Sequence, residues 1–177
     1  ADHSWGNGLF PGALVISSSL CRTLLDEKGR PSLAQARKQN PIVFRNLEIL
    51  LPHLTFDEGE LGLRVGKKTL KLFSLPGHSA DGIGILLEED RVLFAGDVFM
   101  PVPYIVDGDL EQMVASLKKI ARLGLENIVQ GHGDVILRGE IDGTTRDNIA
   151  YLNAIRNAVK KAADHRYPLD LLDRADI

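Results

Sequence analysis

Thr69-Leu70-Lys71-Leu72-Phe73-Ser74-Leu75-Pro76-Gly77-His78-Ser79 is an apolar run that breaks at Pro-Gly and delivers a histidine. The run reads as a strand and the break as its exit turn. Two later stretches repeat the arrangement. Arg91–Ala95 leads into Gly96-Asp97, and Asn127–Gln130 leads into Gly131-His132-Gly133. Each places one metal-competent side chain beside glycine at a strand end. If the three strands point the same way in one sheet, His78, Asp97 and His132 arrive at one edge, where open α/β sheets carry their ligands. Glycines 77, 96, 131 and 133 suit tight turns and close backbone approach there.

The start of the chain adds two more candidates. Ala1-Asp2-His3 sets a carboxylate beside an imidazole, and both are ligands for first-row metals. Alone, each of these pieces reads as a turn or a helix cap. Together they point to one metal site formed by Asp2, His3, His78, Asp97 and His132. His53 and His165 lack such a setting and are assigned to a helix end and the polar tail. Cys21, Trp5 and Phe10 are assigned to packing.

Outward from these stretches, the sequence predicts a strand over Ala13–Ile16 and a helix over 20–28 capped by Ser19, with a break at Gly29-Arg30-Pro31. Ser32 is expected to cap a second short helical piece. Asn40-Pro41 restarts a helix with the apolar face Ile42, Val43, Leu47, Leu50 and Leu51, ended by Pro52. From Leu54 the period becomes alternating. Strands are expected at Leu54–Phe56, Leu61–Val65 and Thr69–Leu75, then a hairpin of Ile83–Leu87 and Arg91–Ala95. Asp109 with Gln112 opens a helix of apolar face Leu110, Met113, Val114, Leu117, Ile120 and Ala121, and Gly124 ends it. Thr144 or Thr145 is expected to cap a last helix with face Ile149, Leu152, Ile155, Val159 and Ala162. The order implies an α/β layer structure, a single domain over 1–177 with a polar tail at 164–177.

Composition narrows the function. The chain has 177 residues, 44% hydrophobic and 25% charged, with net charge −3, ordinary for a globular domain. No long basic run marks a nucleic-acid partner or an anionic membrane surface, and no apolar run is long enough to span a bilayer. One cysteine excludes an internal disulfide framework and a Cys-rich zinc site. The chain opens without an initiator methionine or a leader, inside what reads as a functional motif. The expectation is therefore a fragment of a longer protein, its compartment open, with the cytoplasm favoured.

Taken together, the motifs resemble the metallo-β-lactamase superfamily. Its members carry His-x-His-x-Asp-His, then Gly-His, then Gly-Asp after a strand, then Gly-His-Gly. Ala1-Asp2-His3 is similar to the last positions of the first motif. Pro76-Gly77-His78-Ser79, Phe94-Ala95-Gly96-Asp97 and Gln130-Gly131-His132-Gly133 are similar to the others. The likeness runs to about residue 163. It implies an αββα sandwich whose amino-terminal part is missing from this chain. It also implies two metal ions, with Asp2, His3 and His132 on one, His78 on the other and Asp97 bridging. The first two histidines of the opening motif would precede Ala1.

The resemblance implies zinc, with iron or manganese as alternatives, and a metal-bound hydroxide attacking a small-molecule ester, thioester, lactone or amide. Asp2 would orient the nucleophile or pass its proton onward. Tyr104, in Pro101-Val102-Pro103-Tyr104, is a candidate substrate contact, through its hydroxyl, or a packing residue. The 97–132 interval leaves no room for the large inserted domain of nucleic-acid-processing relatives. The tail is too short for the helical domain of glyoxalase II. The stretch from Tyr104 through Asp107-Gly108-Asp109 resembles uncharacterised bacterial hydrolase-like members. Two rival readings stand beside the hydrolase. One is an iron-dependent oxidoreductase of the same fold, sulfur dioxygenase-like. The other is a catalytically incomplete fragment that associates with its missing amino-terminal segment or forms a homo-oligomer.

Overall fold

The computed structural model describes residues 2–57 and 59–165. Its residues group into two compact units, one up to Leu61 and one from Gly62. The second carries the three strand-end motifs.

In that unit a six-stranded sheet has the order β3-β4-β5-β6-β7-β8. Its strands are β3 (Glu60–Val65, entering from the first unit), β4 (Lys68–Ser74), β5 (Ile83–Leu87), β6 (Val92–Gly96), β7 (Asn127–Gln130) and β8 (Ile136–Leu137). β4 and β5 are antiparallel, β5 and β6 antiparallel, and β6 and β7 parallel. β4, β6 and β7 therefore run in one direction, and the residues leaving their carboxyl ends share one sheet edge. Leu93 and Ala95 are buried while Phe94 between them is exposed, the period-two signature of a strand with one face in the core.

Helix α4 (Leu110–Ala121) supplies Met113, Val114, Leu117 and Ile120 to that core, and α5 (Arg138–Ala163) supplies Ile141 and Leu152. Phe73, Leu75, Leu93 and Ile128 face them from the sheet. The Asp109 carboxylate caps α4 by accepting from the Gln112 N–H at 2.9 Å. Gly124 follows at φ +61°, a conformation only glycine takes cheaply.

α5 begins well before the expected Thr144 or Thr145 cap. Thr145 lies inside the helix and is buried. Gly139 and Gly143 argue against an early start, at about 1 kcal/mol each relative to alanine. Packing overrides them: Ile141, Thr145, Asn148 and Leu152 recur at helical spacing and are all buried. The Glu140 carboxylate accepts from the Leu137 N–H at 2.9 Å and closes the first turn. Val159 of the expected apolar face is half exposed. Of the polar tail, residues 166–177 lie outside the described residues.

The first unit pairs β1 (Ile16–Ser18) in parallel with β2 (Leu54–Phe56). The strand expected at Ala13–Ile16 thus lies later in the chain and shares only Ile16. Ser18, not Ser19, caps α1 (Ser19–Leu24), accepting from the Cys21 N–H at 3.1 Å. The expected break at Gly29-Arg30-Pro31 does not occur. A wider-turned π segment over Leu25–Gly29 leads straight into α2 (Arg30–Gln39), with Pro31 in its first turn, where a missing N–H costs little. Buried Gly29 packs against Leu25 and Ile49.

The helix expected from Pro41 to Leu51 shrinks to α3 (Pro41–Phe44), capped by the Asn40 side chain. Arg37 donates to the carbonyls of Phe44 and Leu47, and Arg22 to that of Pro52, so side chains replace helical bonds along 44–52. Ile42 and Val43 are exposed, as is Phe10, against the expected packing; Trp5 meets Phe44 edge-on at 5.5 Å. His53 is not at a helix end. It precedes β2, and its Nδ1 accepts from the Val15 N–H at 3.1 Å. Among the described residues no helix is long and apolar enough to cross a membrane.

Candidate metal centre

Each strand-end side chain is set by a different local device. His78 follows β4 through Leu75-Pro76-Gly77. Gly77 adopts φ +150°, and a Cβ there would overlap the backbone of Met113, so only glycine lets α4 approach this closely. Ser116 of α4 donates to the Pro76 carbonyl at 2.6 Å, and the Asp109 N–H donates to the Gly77 carbonyl at 3.0 Å. The Val106 N–H donates to the His78 carbonyl at 2.9 Å, and Ser79 pairs with Asp107 as a single parallel bridge. The segment 104–109 is thus fastened along 77–79.

The His78 ring is oriented in turn. Its Nδ1 lies 2.9 Å from the Tyr104 carbonyl. A carbonyl only accepts, so Nδ1 bears the proton and Nε2 presents its lone pair. The Tyr104 ring meets the imidazole edge-on with centroids 5.0 Å apart and is half exposed.

Asp97 leaves β6 through Gly96, at φ +57°. The turn closes with the Phe99 N–H donating to the Gly96 carbonyl at 3.2 Å. Gly131, at the exit of β7, donates to the carbonyls of Gly96 and Phe99 at 2.9 and 3.2 Å. A Cβ on Gly131 would overlap the Asp97 carboxylate. The two strand ends therefore interlock, and His132 is the next residue along. Gln130 Nε2 donates to the Asp134 carbonyl at 2.6 Å, and Gly133 sits at φ +91°, which together shape the turn carrying His132.

The result is one carboxylate between two imidazoles. His78 Nε2 lies 3.6 Å from Asp97 Oδ2, and His132 Nε2 lies 3.6 Å from Asp97 Oδ1. The Asp97 side chain is 9% exposed, that of His78 15% and that of His132 57%. A hydrogen-bonded pair would be closer, below about 3.2 Å. Two ligands at about 2.1 Å from a tetrahedral ion stand about 3.4 Å apart. The spacing on both sides of Asp97 fits ligands arranged around bound metal better than directly hydrogen-bonded pairs.

Within the second unit, the structure brings together His78, Asp97 and His132. His3 lies exposed in the 3-10 turn Asp2–Ser4 of the first unit. Asp2 shares that turn, and its side chain lies outside the described residues. Sequence reasoning missed Ser116 and the Tyr104 carbonyl, which hold and orient the His78 loop. A serine in a helix and a main-chain oxygen carry no motif; only their partners mark them. The sequence offers Tyr104 as a substrate contact; in the structure its carbonyl and ring meet His78.

Comparison with known proteins gives a consistent picture. The family model described as the metallo-beta-lactamase superfamily matches residues 1–132. A lactamase-like protein of Trichophyton equinum is 38% identical over 135 residues, 76% of this chain and 34% of that protein. An atrochrysone carboxyl ACP thioesterase of Aspergillus fumigatus is 35% identical over 95 residues, 50% of this chain and 30% of that one. The beta-lactamase-like protein 2 homolog of Caenorhabditis elegans is 44% identical over 68 residues, 38% and 23% of the two chains. The chain thus spans about a third or less of these curated relatives. Among solved structures, a metallo-beta-lactamase family protein of Thermus thermophilus superposes with TM-score 0.65 at 20% identity, over 92% of this chain and 59% of its own. A metallo-beta-lactamase from Pontibacter korlensis gives 0.59 at 18% identity, over 80% and 59%. At such identities the likeness concerns the fold.

Proposed function

This chain belongs to the metallo-β-lactamase superfamily, and from that premise we propose that it is the metal-binding part of a hydrolase acting on a small-molecule ester, thioester, lactone or amide. The observation that carries the reading is the Asp97 carboxylate, with one oxygen 3.6 Å from His78 and the other 3.6 Å from His132. Neutral imidazole and carboxylate donors suit zinc, and also iron or manganese. His78, Asp97 and His132 would hold the metal, and the superfamily resemblance adds Asp2 and His3 to the ligand set. Bound metal supplies an activated water and polarises the scissile carbonyl.

The chain's own residues do the rest. Asp97 balances charge on both sides of the site and fixes the spacing between them. His78 keeps its Nε2 lone pair toward Asp97 because its other nitrogen is committed to the Tyr104 carbonyl. Asp2, by the superfamily resemblance, would orient the nucleophile or pass its proton to the leaving group. The half-exposed Tyr104 ring flanks His78 where an acyl group would approach. A thioester is the first substrate to test, since one relative bears the name of an acyl-carrier-protein thioesterase.

The test measures metal content of the full chain and thiol release from a short acyl thioester. Metal is expected at one or more ions per chain. His132→Ala is expected to lower hydrolysis by at least about a hundredfold, since even outer partners of a ligand are worth about 10- to 100-fold. An unchanged rate in that variant refutes the proposal. Iron together with oxygen consumption on a sulfur substrate would move the assignment to a dioxygenase.

A further inference from the structure

Asn148 lies in the middle of α5, far along the chain from Asp97, and no motif marks it. It is 3% exposed, and its Nδ2 donates to the Met100 carbonyl at 3.0 Å. Met100 closes the segment that begins at Asp97. Val98, Phe99 and Met100 are all buried, so their backbone polar groups must find protein partners. Gly96, just before the segment, and Phe99 within it offer their carbonyls to the Gly131 N–H. The carbonyl of its last residue, Met100, accepts from Asn148. The Asp97 turn is therefore held at two points, by the β7 exit that carries His132 and by a side chain from α5.

We infer that Asn148 is a positioning residue for Asp97, setting the turn so that each carboxylate oxygen faces one imidazole. The inference rests on the metal-site reading above and deepens it. The physical basis is tolerance. A usable metal site holds its ligand distances to within about 0.2 Å, and a four-residue turn on the sheet rim has no such stiffness unless its flanks are fixed. Removing the Asn148 donor strands a buried carbonyl, and the turn relaxes to find another partner. The carboxylate moves with it. Both sides of the site change at once, because Asp97 serves both.

The test uses the full chain titrated with Co(II), read by visible absorption, with urea unfolding measured separately in chelator. Asn148→Leu removes the donor while keeping bulk. Asn148→Ser is too short to reach Met100 and decides the matter if the leucine variant does not fold. Val114→Ala, a core change on α4, is the control for lost stability. The expected result is Co(II) affinity at least about tenfold weaker in the Asn148 variants, with an altered ligand-field spectrum. Val114→Ala should keep the wild-type affinity and spectrum. Wild-type affinity and spectrum in Asn148→Ser, or an equal loss in Val114→Ala, overturns the inference and leaves the metal site standing. A wild-type chain that binds no Co(II) overturns both.

Discussion

Replacing Gly131 with alanine tests whether the two strand ends interlock as the structure shows. A Cβ at this position would lie 2.9 Å from both the Asp97 N and Cγ atoms and would overlap its carboxylate oxygen. Ordinary contact begins near 3.4 Å, so Asp97 must retreat by at least about 0.5 Å, more than twice the tolerance of a metal ligand. The retreat has few outlets. Gly131 is itself pinned by two hydrogen bonds to the Asp97 turn, and Val98 and Phe99 behind it are buried. Overpacking of this kind costs about 1–3 kcal/mol of folding stability. The same displacement should weaken metal binding by about 10- to 100-fold. Isothermal titration with zinc measures the second effect, and urea unfolding of the chelated protein measures the first. A Gly131→Ala variant with wild-type zinc affinity and stability within about 0.5 kcal/mol would show that Asp97 does not pack on Gly131, and the placement of its carboxylate between the two imidazoles would fall with it.

Two other perturbations probe the scaffold. Asp109→Ala removes the cap of α4 and should cost about 1 kcal/mol; since the neighbouring Asp109 N–H helps hold the Gly77 turn, hydrolysis should fall as well, a coupling that denaturation and rate measurements on one preparation would reveal. Glu89 accepts hydrogen bonds from the Thr69 N–H and hydroxyl at 2.8 and 2.9 Å, and the backbone bond above all holds its carboxyl below the usual glutamate range. The folded state therefore binds this proton less readily than the unfolded one, so the contribution is present above the unfolded value and is lost as pH falls through the folded one. Glu89→Gln should be less stable than the wild type at neutral pH and should converge on it in acid; parallel stability curves across that range would disprove the assignment.

The strand-end histidines and aspartate were legible because their signal is local. A strand that ends in glycine and then offers a histidine or aspartate needs only a few consecutive residues to be recognised, as at Pro76–Ser79 and Gly96-Asp97. The α4 cap was legible for the same reason, since Asp109 and Gln112 stand within one helical turn. The reading failed where distant partners outvoted local preference. Gly139 and Gly143 argue against a helix, yet the burial of Ile141, Thr145 and Asn148 extends α5 through them. Arg37 and Arg22 capture carbonyls that the apolar spacing of Ile42 to Leu51 assigned to a helix.

The sequence by itself determined which side chains stand at the strand ends, because that is set by hydrophobic alternation and by glycine's freedom at the following turn. Only the tertiary structure decided that β4, β6 and β7 run in one direction and that Asp97 sits between two imidazoles. The same holds for the partners that steady them. Ser116 reaches Pro76 across 40 residues, Tyr104 reaches His78 across 26, and Asn148 reaches Met100 across 48. Such contacts depend on how elements pack, and packing is a property of many residues at once that no short stretch of sequence encodes.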